Sequence, residues 1–273
     1  MIPFRRHIRQ RVRKSLLRTE TPSSCCRFFN LNSWLLKSGS RLKWDGSNFV
    51  VVDKNIPGFS YKFRHQRQGT VAYERGIRTR AESLADTYHL RKIDFKDGDV
   101  FLDCGANVGD LKLWFSINHI DLNYVGFEPS PIEFDCLKEN IYPSKAFNFG
   151  LWSHDGELKF YVSSQGADSR VIEPKHYDEV IHIKVKRLAD VIEGDVKCLK
   201  LEAEGAEPEV LEGAGEKLNH VEYVSADLGY ERGVNEESTL VPVTNYLLQR
   251  GFELVDVTHG RICALYKNMN LAR

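Results

Sequence analysis

The last two strand-like segments constrain the fold of this chain most, because only three residues separate them. Residues 252–257 and 261–266 are rich in apolar side chains, and Thr258-His-Gly260 joins them. A three-residue link that contains glycine closes a β-hairpin, so the final strand must run antiparallel to its predecessor. Upstream, apolar strand-like segments alternate with helical patterns, which indicates parallel βαβ units. The sequence therefore predicts a doubly wound α/β sheet that is mostly parallel and ends in an antiparallel hairpin.

The predicted elements of this sheet follow from the spacing of apolar residues. Sheet strands are predicted at 100–104, 123–127, 145–151, 196–201 and 221–225. Helices are predicted at 108–119, 131–141, 208–217 and 236–250. Two further segments, 156–162 and 182–186, alternate strictly between apolar and polar residues, as half-exposed strands do. They predict a β-hairpin inserted into the sheet's connections.

The N-terminal part of the chain has a different character. Residues 1–18 carry seven Lys/Arg residues and no acidic one, with apolar side chains at four-residue spacing, which predicts a basic amphipathic helix. Such an arm is either a peripheral contact with an anionic membrane surface or partner, or a solvated helix packed on the body. A transit peptide would share its Arg-rich, acid-free composition. Residues 1–33 are interpreted as this arm followed by a linker at 19–33. A strand-rich extension at 34–79 and a helix at 71–93 then lead into the main domain, 80–267.

Composition excludes several classes of protein. The formal net charge is zero, and outside the basic arm acidic residues are in excess, which argues against a nucleic-acid groove on the body. No apolar run is long enough for a membrane span, and the N-terminus lacks the apolar block of a secretory signal. The six cysteines and nine histidines show no metal-ligand spacing. We therefore expect a cytoplasmic protein without a metal site.

The turn after strand 100–104 is the strongest candidate for a ligand site. Asp103 lies near the strand end, and Gly105 and Gly109 frame the loop that follows. An acid beside open N–H groups at Gly105 and Ala106 suits a ligand with an ammonium and a carboxylate better than a diphosphate. A dinucleotide fingerprint needs a further glycine where Asn107 stands.

A carboxylate one strand further along strengthens this interpretation. Glu128 closes the next apolar run, where a carboxylate can accept hydrogen bonds from both ribose hydroxyls. The alternative is an ordinary tight turn and a surface glutamate before Pro129. Loop and acid together predict a nucleoside ligand, but they do not separate S-adenosylmethionine from NAD.

Four segments, taken in order, resemble the signature segments of the FkbM family of S-adenosylmethionine-dependent methyltransferases. They are residues 103–109, 127–129, 148–152 and 200–207, within a resemblance that spans roughly 80–267. The resemblance implies a seven-stranded class I methyltransferase sheet and methyl transfer, typically to oxygen and often on sugars. The resemblance also implies which residues bind each part of the cofactor. The methionine end would contact Asp103, Gly105, Ala106, Asn107 and Gly109. The ribose would bind Glu128, and the adenine would lie beside Gly150 and Leu151.

One departure from the family pattern concerns the acceptor. Where members commonly have Ile-Asp-Val-Glu-Gly, this chain has Leu-Glu-Ala-Glu-Gly, so Glu202 replaces an aspartate. In a regular strand Glu202 and Glu204 would point the same way, from the sheet edge where ligands bind. We expect one of them, Glu202 above all, to bind or deprotonate the acceptor hydroxyl. The alternative is that these acids, Glu204 in particular, cap the following helix.

The polar loop between the two inserted strands is the other candidate for acceptor binding. Asp168 and Ser169 lie in it, and such loops above a sheet edge often carry specificity; the alternative is a plain hairpin tip.

The sequence thus predicts an O-methyltransferase acting on a carbohydrate or glycolipid precursor, with the acceptor resting on family analogy alone. Two other functions stay open. A Rossmann-type NAD-dependent oxidoreductase is disfavoured by the missing glycine and the terminal hairpin, and a non-catalytic membrane-docking adapter by the intact loop.

Overall fold

The computed structural model describes residues 12–16, 18–19, 21–163, 169–258 and 260–271. Residues 12–16 are helical, and helix α1 (Pro22–Leu36) follows. The Thr21 hydroxyl accepts a hydrogen bond from the Ser24 N–H at 3.3 Å, and Pro22 occupies the first turn. Cys25 and Phe29, one helical turn apart, are fully buried. The predicted linker at 19–33 is therefore wrong: its polar composition hides a helix with a cap and an apolar face. Most of the predicted basic arm lies outside the described residues.

Three antiparallel strands follow α1 and form a small sheet. They are β1 (Ser40–Trp44), β2 (Phe49–Asp53) and β3 (Ser60–Phe63), in that order. Helix α1 lies along the free edge of β1, where the Asn30 side chain donates to the Leu42 carbonyl at 3.0 Å and accepts from the Leu42 N–H at 2.8 Å. These contacts occupy backbone groups that an exposed edge strand would leave unpaired.

The helix predicted at 71–93 is two helices in the structure. They are α2 (Gln66–Tyr73) and α3 (Ile77–Thr87). Gly76 separates them with φ of +107°, a conformation that is incompatible with a continuous helix and that favours glycine. The Ile77 N–H at the start of α3 donates to the Asp53 carboxylate at 3.2 Å, which ties α3 to the small sheet.

The remaining elements make up the α/β part of the chain. Its strands are β4 (Val100–Cys104), β5 (Asn123–Phe127), β6 (Lys145–Phe147), β7 (Gly150–Trp152), β8 (Gly156–Val162), β9 (Glu179–Arg187), β10 (Val196–Leu201), β11 (Val221–Asp227), β12 (Tyr230–Arg232), β13 (Glu237–Ser238), β14 (Phe252–Thr258) and β15 (Cys263–Asn268). Its helices are α4 (Lys112–Ile117), α5 (Pro131–Asn140), α6 (Glu207–Ala214) and α7 (Leu240–Leu248). Among the described residues, no helix is long and apolar enough to cross a bilayer.

The central sheet confirms the predicted fold class. Its seven strands lie in the order β14-β15-β11-β10-β4-β5-β6. Strands β11, β10, β4, β5 and β6 pair in parallel, whereas β15 pairs antiparallel with both β11 and β14. Strand β15 runs antiparallel to β14, as the short link at 258–260 requires. It lies between β14 and β11 in the sheet.

The single strand predicted at 145–151 is wrong. Strand β6 belongs to the central sheet, but β7 leaves it and pairs in parallel with β9, which pairs antiparallel with β8. Between β6 and β7, the Asn148 side chain donates to the Glu128 and Pro129 carbonyls at 2.9 and 3.1 Å and fixes the turn. The inserted hairpin is thus a three-stranded sheet that brings β7 to the edge of the site.

Two predicted helices start later than their apolar pattern indicates. Helix α4 begins at Lys112 instead of 108, since the glycine loop continues through a series of turns. Helix α7 begins at Leu240 instead of 236, because the short strands β12 and β13 occupy the preceding residues. The pair β12–β13 matters for function, since β12 reaches the site described below.

Two apolar clusters cover the two faces of the central sheet. Alternate strand residues separate them: Phe101 and Cys198 belong to one cluster, and Leu102 and Leu199 to the other. The first cluster continues without a break into the N-terminal sheet, where it includes Phe63. The extension predicted at 34–79 therefore packs against the main sheet, although its boundary as a domain stays a prediction.

Candidate active site

A cavity of about 280 Å³ opens at the carboxyl ends of β4, β5 and β10. It is lined by most of the predicted cofactor residues, namely Asp103, Gly105, Ala106, Asn107, Glu128, Gly150 and Leu151. The predicted acceptor residues Glu202, Glu204 and Ser169 line it as well. Gly109 does not border it, and Asp168 lies outside the described residues. The edge of the sheet thus brings together nearly all residues that the sequence singled out.

The backbone N–H groups of the glycine loop are not open to a ligand. Those of Gly105 and Ala106 both donate to the Phe127 carbonyl at 3.0 Å, so the prediction of free donors is wrong. Gly105 is needed for another reason: at its φ of +72°, an added Cβ would stand 1.9 Å from the Glu202 carbonyl oxygen. The glycine lets the loop after β4 touch the loop after β10.

Gly109 also has a packing role instead of the predicted cofactor contact. Its φ is +80°, and an added Cβ would lie 2.4 Å from Ile141 Cγ2 at the end of α5. Its carbonyl accepts a hydrogen bond from the Tyr61 hydroxyl at 2.9 Å. The next residue, Asp110, pairs with Arg80 Nε at 2.7 Å. The N-terminal elements therefore hold the glycine loop from behind.

Glu128 is fixed by backbone donors on both of its carboxylate oxygens. Oε2 accepts from the Asn107 N–H and Oε1 from the Ser130 N–H, each at 2.8 Å. The side chain is buried, and burial, followed by the negative charge of Glu133, raises the pKa of Glu128 to about 8. A carboxylate oxygen accepts more than one hydrogen bond, so Glu128 retains acceptor capacity toward the cavity. Two adjacent ligand hydroxyls fit this arrangement and would favour its charged form.

An apolar wall adjoins Glu128. Leu151 on β7 and Phe160 on β8 line the cavity and are 5% and 3% exposed. At Gly150, an added Cβ would contact Ile183 and Val185 at 3.4 Å. The inserted sheet therefore supplies an apolar surface of the kind that packs against a planar base.

Lys200 is the centre of the charged end of the cavity. Its side chain is 4% exposed, and Nζ lies 3.0 Å from both Asp103 Oδ1 and Glu202 Oε2. Nζ also donates to the Gly105 carbonyl at 2.7 Å. Burial disfavours the ammonium, but the two carboxylates outweigh it and raise the pKa of Lys200 above its ordinary value. Sequence reasoning gives Lys200 no role of its own, although a lysine amid the apolar residues of a central strand indicates a buried charge that needs a partner.

Glu202 reaches the cavity but has the wrong electrostatics for a base. Burial alone would raise its pKa, yet the charges of Lys200 and Arg261, which donates to its other oxygen, lower the pKa of Glu202 to about 2. A carboxylate with so low a pKa is a poor proton acceptor near neutral pH. Of the two roles predicted for Glu202, the structure therefore favours binding of the acceptor hydroxyl over its deprotonation.

Glu204 has a different role from the predicted helix cap. Strand β10 ends at Leu201 and Glu204 has φ of +51°, so strand alternation does not govern its direction. Its Oε2 lies 3.5 Å from Arg170 Nη2. The N-cap residue of α6 is Ala206, which offers no side-chain cap, and Glu207 in the first turn fixes the preceding loop, as its Oε1 accepts from the Ala203 and Gly205 N–H groups at 2.8 and 3.2 Å.

The outer rim of the cavity carries Arg170, which belongs to the candidate polar loop, and two residues that sequence reasoning missed, Glu231 and Arg261. Arg170, Glu231 and Arg261 line it together with Ser169, whose hydroxyl accepts from the Ser163 N–H at 3.0 Å. Glu231 lies on β12, whose partner strand β13 falls within the helix predicted at 236–250. A two-residue strand partner such as β13 gives almost no periodic signal, so only the folded structure places Glu231 here.

Comparison with known proteins assigns this site to a family. The model of the methyltransferase FkbM domain matches residues 103–254. The chain is 28% identical over 156 residues to "Methyltransferase sdnD" of Sordaria araneosa, covering 42% of this chain and 60% of that protein. It is 35% identical over 60 residues to "31-O-demethyl-FK506 methyltransferase FkbM" of Streptomyces tacrolimicus, covering 22% and 23% of the two chains.

A solved structure of methyltransferase FkbM from Methylobacillus flagellatus KT superposes with a TM-score of 0.46 and 19% identity, covering 64% of this chain and 44% of that one. The chain spans about 60% of the length of the first curated relatives it matches. The family match covers more than half of the chain and both ends of the cavity. The chain therefore belongs to the FkbM family of S-adenosylmethionine-dependent methyltransferases.

Proposed function

We propose that this protein transfers a methyl group from S-adenosylmethionine to a hydroxyl oxygen. The observation that carries the proposal is Glu128, a buried carboxylate held by the Asn107 and Ser130 N–H groups with acceptor capacity left toward the cavity. This is the partner that the two ribose hydroxyls of a nucleoside require. Because the Gly105 and Ala106 N–H groups already donate to the Phe127 carbonyl, these two donors are not available to a pyrophosphate, which argues against NAD.

The residues present fit S-adenosylmethionine along the length of the cavity. Glu128 would hold the ribose, and Leu151 and Phe160 would flank the adenine. Asp103, whose Oδ1 pairs with Lys200 at 3.0 Å, offers a carboxylate for the ammonium of the methionine end. When bound, the cofactor supplies a methyl group on a positively charged sulfur.

The acceptor end is polar and charged, which supports a hydroxyl-bearing acceptor. Glu202, Glu204, Arg170 and Arg261 line this end and present hydrogen-bonding groups of both kinds. The name of the Streptomyces tacrolimicus relative describes methylation at oxygen, which supports the same chemistry here. We extend the proposal to an acceptor rich in hydroxyls, of the carbohydrate or glycolipid class. Contact of residues 1–18 with an anionic membrane surface is part of the same proposal, and a vesicle-binding assay would test it separately.

Calorimetry with three ligands tests the cofactor half of the proposal. We expect S-adenosylmethionine and S-adenosylhomocysteine to bind and NAD not to bind. Binding of NAD without either methionine derivative would instead support the oxidoreductase alternative. Binding of none of the three would favour the adapter and contradict the proposal.

A further inference from the structure

We propose that Glu231, on β12, is the catalytic base that takes the proton from the acceptor hydroxyl. The inference rests on the proposed methyl transfer and deepens it. Its foundation is a comparison of the carboxylates that line the cavity. Apart from Glu231, each has a hydrogen-bond or ion-pair partner among the described residues.

The carboxylates nearest the central strands are neutralised by cations. Lys200 Nζ is 3.0 Å from both Asp103 and Glu202. The Arg261 guanidinium pairs with Glu202 as well as with Asp227 behind it. A carboxylate in such a pair loses its favourable contact on accepting a proton. The two cations lower the pKa of Glu202 to about 2, whereas burial raises the pKa of Asp103, which stays paired with Lys200.

Of the other four carboxylates that line the cavity, Asp110 pairs with Arg80 and Glu133 with His65, and the remaining two are occupied as well. Both oxygens of Glu128 accept backbone hydrogen bonds at 2.8 Å, at the end of the cavity assigned to the ribose. Glu204 lies 3.5 Å from the Arg170 guanidinium. Neither is available to take a proton without losing a bond that holds the site together.

Glu231 is arranged differently. It lines the cavity and is half-buried, and no described residue forms a hydrogen bond or an ion pair with its carboxylate. Its backbone is nevertheless fixed, because the Arg170 guanidinium donates to the Glu231 carbonyl. A main chain that is held while the carboxylate is left free is the arrangement a proton acceptor needs.

The charges that face Glu231 support the same role. Burial, then the negative charges of Asp227, Glu202 and Glu207, raise the pKa of Glu231 to about 7, against the opposing effect of Arg261. A base works best when its pKa lies near the operating pH, where it is both ionised and able to hold a proton. Glu202, with a pKa of about 2, lacks the second property.

The proton and electrons of the step balance with Glu231 as the acceptor. As the bond from the acceptor oxygen to the methyl carbon forms, the sulfur–methyl bond breaks and its electron pair stays on sulfur. Glu231 takes the hydroxyl proton and becomes neutral. The products are the methyl ether, S-adenosylhomocysteine and a protonated Glu231, so one positive and one negative charge disappear together.

Sinefungin allows a test without knowledge of the acceptor. In this analogue of S-adenosylmethionine an amine-bearing carbon replaces the methylated sulfur, so its ammonium points toward the acceptor position. In the full chain we expect sinefungin to bind more tightly than S-adenosylhomocysteine, through the Glu231 carboxylate. Glu231→Gln should weaken sinefungin by about 10- to 100-fold, the size of a hydrogen bond to a charged group, and change S-adenosylhomocysteine by less than about twofold. Glu237→Gln, on the exposed neighbouring strand, should change neither.

The outcomes separate the two proposals. If Glu231→Gln leaves the preference for sinefungin over S-adenosylhomocysteine unchanged, Glu231 does not face the reacting position and the inference is overturned. If the wild-type protein binds neither ligand, the proposed function itself fails. If Glu231→Gln does not fold, Glu231→Asp decides: a reduced preference with intact S-adenosylhomocysteine binding supports the inference, and an unchanged preference overturns it.

Discussion

The two ends of the cavity are built on different principles. At the cofactor end, Glu128 is held by backbone N–H groups, which are present whatever side chains surround them. At the acceptor end, Glu202 is held by the Lys200 and Arg261 side chains, and Lys200 also pairs with Asp103, which is assigned to the methionine end. A carboxylate fixed by backbone is secured by the fold itself, whereas one fixed by side chains depends on each partner. We therefore expect substitutions at the two ends to fail in different ways, by lost binding at one and lost stability at the other.

Removal of the central cation should have the largest effect. Lys200→Met leaves Asp103 and Glu202 buried without their ammonium, and uncompensated buried charge of this kind costs about 3–5 kcal/mol. Urea unfolding at neutral pH would measure the loss. Because both carboxylates can be protonated, the deficit should shrink as the pH is lowered.

Lys197 provides the matched control on the same strand. Its Nζ pairs with Glu222 at 2.9 Å, but Glu222 is 32% exposed, so Lys197→Met should cost no more than about 1 kcal/mol. Equal losses for the two variants would show that the acceptor end does not depend on a buried charge network, and the proposed contrast between the two ends would fall.

The charge of Glu202 should appear as a pH-dependent contribution to stability. Its folded pKa of about 2 lies below the ordinary 4.5, so its stabilisation is complete above pH 4.5 and is lost as the pH falls through 2. The gap in unfolding free energy between wild type and Glu202→Gln should reach at most about 3 kcal/mol near neutral pH. It should close progressively in acid. A gap that is constant from pH 7 to pH 3 would mean that Glu202 is not ion-paired.

At the cofactor end, Glu128→Ala should affect binding more than folding. It removes the carboxylate that is proposed to hold the ribose, and loss of hydrogen bonds to a charged group weakens binding by about 1.5–3 kcal/mol, or roughly 10- to 150-fold. Calorimetric titration with S-adenosylhomocysteine measures this. Glu157→Ala, at an exposed position on β8, is the control and should bind like wild type. Unchanged affinity in Glu128→Ala would remove the main support for the proposed cofactor.

The same contrast explains what the sequence could predict. The seven-stranded sheet and its antiparallel end follow from local patterns, namely apolar strand segments and a short glycine link, and both are confirmed. The chain segments that form the cavity are predictable for the same reason, because parallel strands end at one edge. The linker predicted at 19–33 is wrong because Thr21-Pro-Ser-Ser24, which has the composition of a loop, is the cap and first turn of a helix that continues to Leu36.

The partners of individual groups in the site lie beyond sequence reasoning. The glycine pattern marks Gly105 and Gly109 as a loop feature. The reason each must lack a side chain is its close approach to Glu202 or Ile141, respectively, which is a tertiary property. The partner of Glu202, Arg261, is 59 residues away along the chain. Glu231 depends on a strand pair too short to leave a pattern. Spacing identifies which segments meet, whereas the protonation of each carboxylate depends on contacts that only the folded chain defines.

The smallest predicted effect concerns the support behind the cofactor end. Tyr61→Phe removes the buried hydroxyl that donates to the Gly109 carbonyl at 2.9 Å, and loss of one such hydrogen bond costs about 1 kcal/mol. Because Glu128 keeps its own backbone donors, S-adenosylhomocysteine affinity should change by less than about twofold, which calorimetry and urea unfolding on the same sample can separate. Tyr142→Phe, with the parent side chain 81% exposed, is the neutral control. A large loss of affinity in Tyr61→Phe would instead mean that the N-terminal sheet positions the cofactor loop directly, so that the cofactor end would depend on a remote side chain after all.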